Sequence, residues 1–203
     1  MLAAGIAGDD TVLAEDRLRA DQYRLLAAFL AAPADAGLLQ LAAGFAGDDT
    51  EYGQALAALA GRARQTSPQA ASREYHDLFI GIGRGELVPF GSYYRTGFLN
   101  EKPLAKLRGD MARLGIARAE TVKEPEDHIG ALCEMMAGLI TGAFGAPLDL
   151  AGQRRFFDSH LGPWAPLFFA DLEKAGSARL YAPVGTLGRV FMGIEKTAFL
   201  MET

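Results

Sequence analysis

The chain has 203 residues, of which 50% are hydrophobic and 22% charged, with a formal net charge of −5. The length fits one large domain, or one domain with a small appended lobe, and the apolar fraction excludes disorder as the main state. The acidic balance gives no electrostatic footprint for nucleic acid, and a single cysteine, Cys133, excludes an internal disulfide scaffold and points to a reducing compartment. No uncharged apolar run reaches the roughly 18 residues of a membrane span. The N-terminal stretch Met1–Asp10 has no basic region and ends on two aspartates, so it does not read as a secretory signal. The expectation is a soluble cytoplasmic protein with no direct membrane insertion.

Alanine and leucine dominate while valine and isoleucine are sparse, which favours helix over strand. Leu18, Leu25, Leu26, Phe29 and Leu30 keep helical spacing, and Pro33 stops that segment. Asp49 is placed to cap a second helix carrying Tyr52, Leu56 and Leu59. Ser67-Pro68 reads as a cap followed by proline at the first helical position, opening a helix with Tyr75, Leu78 and Phe79. Residues 80–94 are rich in glycine and aromatics and read as a loop; the one alternating stretch of note is Tyr93–Leu99. Asn100 is read as capping a helix with Leu104, Leu107, Met111 and Leu114 on one face and Gly115 as its stop.

Glu124-Pro125 is read as opening the clearest helix. Ile129, Leu132, Cys133, Met136, Leu139, Ile140 and Phe144 form one apolar stripe along it. Gly142, Gly145 and Pro147 break the pattern, so residues 145–149 are a candidate hinge between a main body, about 10–144, and a C-terminal lobe, about 150–203. That lobe carries Phe156, Phe157, Leu161, Trp164, Leu167 and Phe168, then a last helix with Leu187, Val190, Phe191, Ile194 and Leu200. The fold class expected is all-α, a helical-bundle-like domain, and the hinge permits a domain-swapped homodimer.

Several motifs invite chemistry. Gly81, Gly83 and Gly85 follow a helix, lack the spacing of a dinucleotide fingerprint and read as plain loop. His76, His128, His160 and Cys133 have no ligand spacing, so no metal is expected, and Cys133 falls in the core stripe as an inert thiol. The densest ionisable cluster is Glu124-Pro125-Glu126-Asp127-His128. Acidic residues in a first turn complement the helix dipole without any further role. On the helical wheel Asp127 points to solvent and His128 sits at the edge of the buried face. An acid/base pair there is one reading, although no nucleophile or oxyanion donor stands beside it.

Three stretches together resemble one family. They are Glu74-Tyr75-His76-Asp77-Leu78-Phe79 with Pro89-Phe90-Gly91-Ser92-Tyr93-Tyr94; Glu124-Pro125-Glu126-Asp127-His128-Ile129 with Glu134 and Met135-Met136; and Gln153-Arg154-Arg155-Phe156-Phe157-Asp158-Ser159-His160-Leu161-Gly162-Pro163-Trp164. Their order and spacing across residues 74–164 resemble the TorD/DmsD/NarJ-type chaperones, the redox enzyme maturation proteins. The resemblance implies an all-helical cytoplasmic chaperone without catalytic residues or a cofactor. Its partners would be the twin-arginine leader and the catalytic subunit of a molybdoenzyme, held back from export until the molybdenum cofactor is inserted. In the family the Asp-His pair helps bind the leader; here that is Asp127 and His128. A leader of two guanidinium groups and an apolar stretch needs an apolar groove with carboxylates at its rim. The candidate leader-binding set is Asp127, His128, Glu124, Glu126, Tyr75, Phe79, Phe90 and Tyr94. Two other classes stand beside this one: a small acid/base enzyme using Asp127-His128, and a helical scaffold protein with another partner.

Overall fold

The computed structural model describes residues 12–118 and 123–201, so the reading of Met1–Asp10 lies outside it. In chain order the helices are α1 (Ala14–Ala31), α2 (Ala36–Ala43), α3 (Glu51–Ala63), α4 (Pro68–Tyr75), α5 (Gly91–Thr96), α6 (Lys102–Arg113), α7 (Ile129–Thr141), α8 (Leu150–His160), α9 (Ala165–Lys174) and α10 (Tyr181–Met201). His76–Ile80 extend α4 by one π-helical turn. Among the described residues the only strand-like pairing is an isolated antiparallel bridge between Phe90 and His128. The fold is all-α, as expected.

Several boundaries differ from the sequence reading, each for a local reason. Thr50, not Asp49, caps α3, its hydroxyl accepting from the Gly53 amide at 3.0 Å. Asn100 does not cap α6; it turns the chain at a φ of 60°, and Glu101 takes the cap position. The Asp35-capped α2 is an additional helix, and the alternating stretch Tyr93–Leu99 begins inside α5. Ser67 does cap α4, its hydroxyl accepting from the Ala70 amide at 3.2 Å.

The largest displacement is at α7, which starts at Ile129 with His128 as its cap, four residues after Pro125. Residues 127–129 instead lie against Pro89–Gly91. The Gly91 amide donates to the Asp127 carbonyl and the Ile129 amide to the Pro89 carbonyl, both at 2.9 Å. Those bonds hold the backbone extended where a helix would need it coiled.

α7 is the axis of the molecule. It is buried on nearly every face, packs along α1, and exposes one residue, Glu134. Such all-round burial is the signature of a central helix. Gly142, at a φ of 78°, ends it in the left-handed region that glycine tolerates best. Phe144 therefore lies beyond the helix rather than on its stripe. Its ring folds back over Gly138, where a Cβ would lie 2.3 Å away.

The chain then doubles back, the Leu148 amide donating to the Leu139 carbonyl at 2.8 Å, and Asp149 caps α8. α10 packs on α9, α3 and α1. Phe156, Phe157, Trp164 and Phe168 of the C-terminal segment share one core with Tyr23, Leu30 and Met136.

Candidate functional site

The Asp-His cluster sits where α7 begins, between α1, α5 and α6. Asp127 is 3% exposed, so the solvent-facing position expected for it is wrong. The wheel that placed it outside assumed a helix from Pro125, and Asp127 precedes the true start. Its Oδ2 accepts the Ser92 amide at 2.6 Å. Its Oδ1 and the Ser92 hydroxyl are buried without a hydrogen-bond partner among the described residues.

His128 is 5% exposed and fully inside rather than at an edge. Its Nδ1 accepts the Gly130 amide at 3.1 Å, which leaves the ring proton on Nε2. Phe90 meets the ring edge-on at 5.1 Å. Burial pushes the imidazole down to about 4, so it is neutral at pH 7. Among the described residues it makes no hydrogen bond to another side chain, and its accepting nitrogen is used by the backbone.

Glu126 is also buried and already paired. Its Oε2 accepts from Nε and Nη2 of Arg108 at 3.0 and 2.9 Å, and Arg118 approaches Oε1 at 3.8 Å. Burial favours the neutral acid, but the Arg108 bonds outweigh it and hold the carboxyl below the usual range. Glu124 alone of this cluster is exposed, and it has no ion pair among the described residues.

Of the aromatic candidates, Phe90 packs on His128, and Tyr75, Phe79 and Tyr94 form a separate group. Tyr75 is buried and its hydroxyl donates to the Leu30 carbonyl at 3.0 Å; burial and then Glu124 push it up to about 12. Phe79 packs edge-on against Tyr75 and Tyr181. Tyr94 lies against Trp164 and Phe168 and donates to Asp171 at 3.0 Å. Tyr75 and Tyr94 thus have structural partners for their hydroxyls. Phe79, Phe90 and Tyr94 are half-buried.

The structure brings Glu124, Glu126 and His128 together on one cleft of about 320 Å³. Its apolar lining is Met111, Ile116, Met135 and Phe144 together with Ala31 and Ala131, and Glu134 also lines it. The sequence set lacked that wall and Glu134. Glu134 is quoted in the motif after His128, and its place beside a continuous apolar stripe was the signal that could have found it. A second concavity of about 480 Å³ lies between α6 and α8, lined by Lys106, Arg113 and Arg155 against Asp110 and Asp158. Its excess of cations disfavours a guanidinium ligand, whereas the first cleft sets three carboxylates against Arg118. Among the described residues no group of three or more His, Cys, Asp or Glu is placed to hold a metal ion. No helix among them is long and apolar enough to cross a membrane.

An all-α protein with an apolar, acid-rimmed cleft at the head of a buried helix has the form of a binding module. Residues 45–170 match the family model described as nitrate reductase delta subunit, and the chain belongs to that family, the TorD/NarJ group. Chaperone protein TorD of Vibrio cholerae serotype O1 is 29% identical over 140 residues, covering 66% of this chain and 64% of that protein. TorD of Vibrio atlanticus is 26% identical over 140 residues, covering 65% of each. The match thus spans just under two thirds of these curated relatives. A crystal structure assigned to a redox enzyme maturation protein of Archaeoglobus fulgidus superposes with a TM-score of 0.58 at 21% identity, over 87% of this chain and 94% of that one. That likeness establishes the shared fold.

Proposed function

We propose that this protein is a maturation chaperone for a molybdoenzyme. It binds the twin-arginine leader of the catalytic subunit in the cytoplasm and holds the subunit from export until its cofactor is in place. It acts by binding, without chemistry of its own. The observation that carries this reading is the cleft at the start of α7, where an apolar wall of Met111, Ile116, Met135 and Phe144 adjoins the carboxylates of Glu124 and Glu134. That combination suits a ligand with guanidinium groups next to an apolar stretch. The curated relatives named as TorD chaperones support the class of partner.

The test is calorimetry with synthetic leader peptides from each molybdoenzyme of the host. Saturable binding to at least one is expected. Absence of binding to all of them overturns the reading. The hinge at residues 145–149 and the domain-swapped dimer belong to the same proposal, since a lobe that changes partners would reshape the protein around its client.

A further inference from the structure

Four carboxylates stand near the cleft, and the structure divides them into two kinds. Glu126 is engaged by Arg108, and Asp127 is covered and bonded to the Ser92 amide. Recruiting Glu126 for a ligand would mean breaking its bonds to Arg108. Reaching Asp127 would mean opening the junction between α5 and α7. Glu124 and Glu134 are exposed, line the cleft, and have no ion pair among the described residues. Glu134 is moreover the single exposed residue of α7 and lines the cleft, so its charge is presented there.

Resting on the leader-binding reading, we infer that Glu134 and Glu124, rather than the Asp127–His128 pair, take the two guanidinium groups of the leader. The wall formed by Met111, Met135 and Phe144 takes the first apolar side chains that follow. A carboxylate without a prior partner binds arginine bidentately at no cost in broken pairs. Methionine walls adapt to side chains of different shape. The cleft volume of about 320 Å³ is at the small end for ligand sites, so it holds a few side chains while the rest of the leader runs over the surface. Asp127 and His128 are then positioning residues that fix the start of α7, and through it the direction of Glu134.

The experiment uses a fluorescein-labelled synthetic peptide with two adjacent arginines followed by alternating leucine and alanine, read by anisotropy against the full chain. Glu134→Gln should weaken binding about threefold, and Glu124→Gln with Glu134→Gln about tenfold. Both positions are exposed, so melting curves should be unchanged. A second peptide with glutamine in place of both arginines should bind the wild-type protein about tenfold more weakly than the first. The doubly substituted protein should bind the two peptides equally. If wild-type protein binds the arginine peptide but the double variant keeps the same preference for arginine, this assignment is overturned and the leader-binding reading stands. If wild-type protein binds neither this peptide nor any host leader, both fall together.

Discussion

The Asp127 carboxylate accepts the backbone amide of Ser92 at 2.6 Å and ties the head of α7 to the head of α5 across 35 residues of chain. The bond sits inside the molecule, with Asp127 3% and Ser92 0% exposed. A carboxylate in that position orients two helices whose ends meet at the candidate site. Its neighbour Gly91 packs against the Trp164 indole, where a Cβ would come within 3.0 Å of Nε1. The junction therefore leaves little room for rearrangement.

Asp127→Ala should accordingly act first on stability. It leaves the Ser92 amide buried and unpaired, at a cost of about 1–3 kcal/mol. Any loss of leader affinity in the folded protein should be smaller than the loss on removing Glu124 and Glu134 together. Thermal unfolding beside peptide binding checks the order of the two effects. A normal melting temperature with abolished binding would show that Asp127 contacts the leader itself.

The buried His128 makes a pH prediction. Its pKa falls from 6.5 to about 4 because burial opposes the charged ring. The unfolded chain then binds more protons than the folded one between those values. A depressed folded pKa means the contribution is fully present above about pH 6.5 and is lost as pH falls towards 4. The loss is about 3 kcal/mol at the lower end. His128→Asn keeps a cap acceptor for α7 but cannot titrate there. Urea unfolding at several pH values should show a shallower acid slope for the variant than for the wild-type protein. Equal slopes would mean that His128 is not the group responsible.

Much of the helix content is legible because it is written locally. The stripe from Ile129 to Ile140 is buried as its spacing requires, and Ser67-Pro68 caps α4 as its chemistry requires. Gly115 stops α6 at a φ of 69°. The orientation of Asp127 was not legible, because a backbone pairing between Phe90 and His128 decides it, and no local period encodes a contact between segments so far apart. The cleft was half legible. Its carboxylates lie in a motif, whereas Met111 and Ile116, at and just past the end of α6, and Phe144 after α7 come from two segments that only the packing of α6 against the turn after α7 brings together.

Glu74 belongs to a motif that resemblance alone would assign to function, yet its contacts are structural. Its Oε1 accepts the amides of Arg179 and Tyr181 at 2.6 and 2.8 Å, and its Oε2 accepts that of Leu180 at 3.1 Å. These donors lie just before and at the start of α10, where backbone amides lack intrahelical partners. Glu86 repeats the device two residues earlier in the same connection, accepting the Gly176 and Ser177 amides at 2.6 and 3.0 Å. Glu74→Ala should therefore destabilise the fold by about 1.5–3 kcal/mol, the range for bonds to a charged group. Hydrogen exchange should show faster exchange at residues 179–181 than in the wild-type protein. Unchanged protection there would show that α10 is held by packing alone.

Arg19 on α1 reaches Glu195 on α10 with two bonds, Nε to Oε1 and Nη2 to Oε2, both at 2.8 Å. Tyr23 adds a bond to the same carboxylate at 3.0 Å, and Arg19 Nη1 also donates to Gln153 of α8 at 2.9 Å. Glu195 is 1% exposed, so removing its cation strands a buried charge, at a cost of about 3–5 kcal/mol. The network fastens both α8 and α10 to α1, the elements that must part if residues 145–149 are a hinge. A swapped dimer would rebuild the same network between two chains, so Arg19→Ala weakens monomer and dimer alike and should leave their equilibrium ratio unchanged. What it lowers is the barrier, because the open form lacks the pair in either case. Exchange between isolated dimer and monomer should then be at least about a hundredfold faster in the variant, provided the pair is broken at the barrier. Size-exclusion chromatography of separated fractions, re-injected over time, measures that rate. A protein that stays monomeric at every concentration, in both forms, would show that residues 145–149 are a fixed connection and not a hinge.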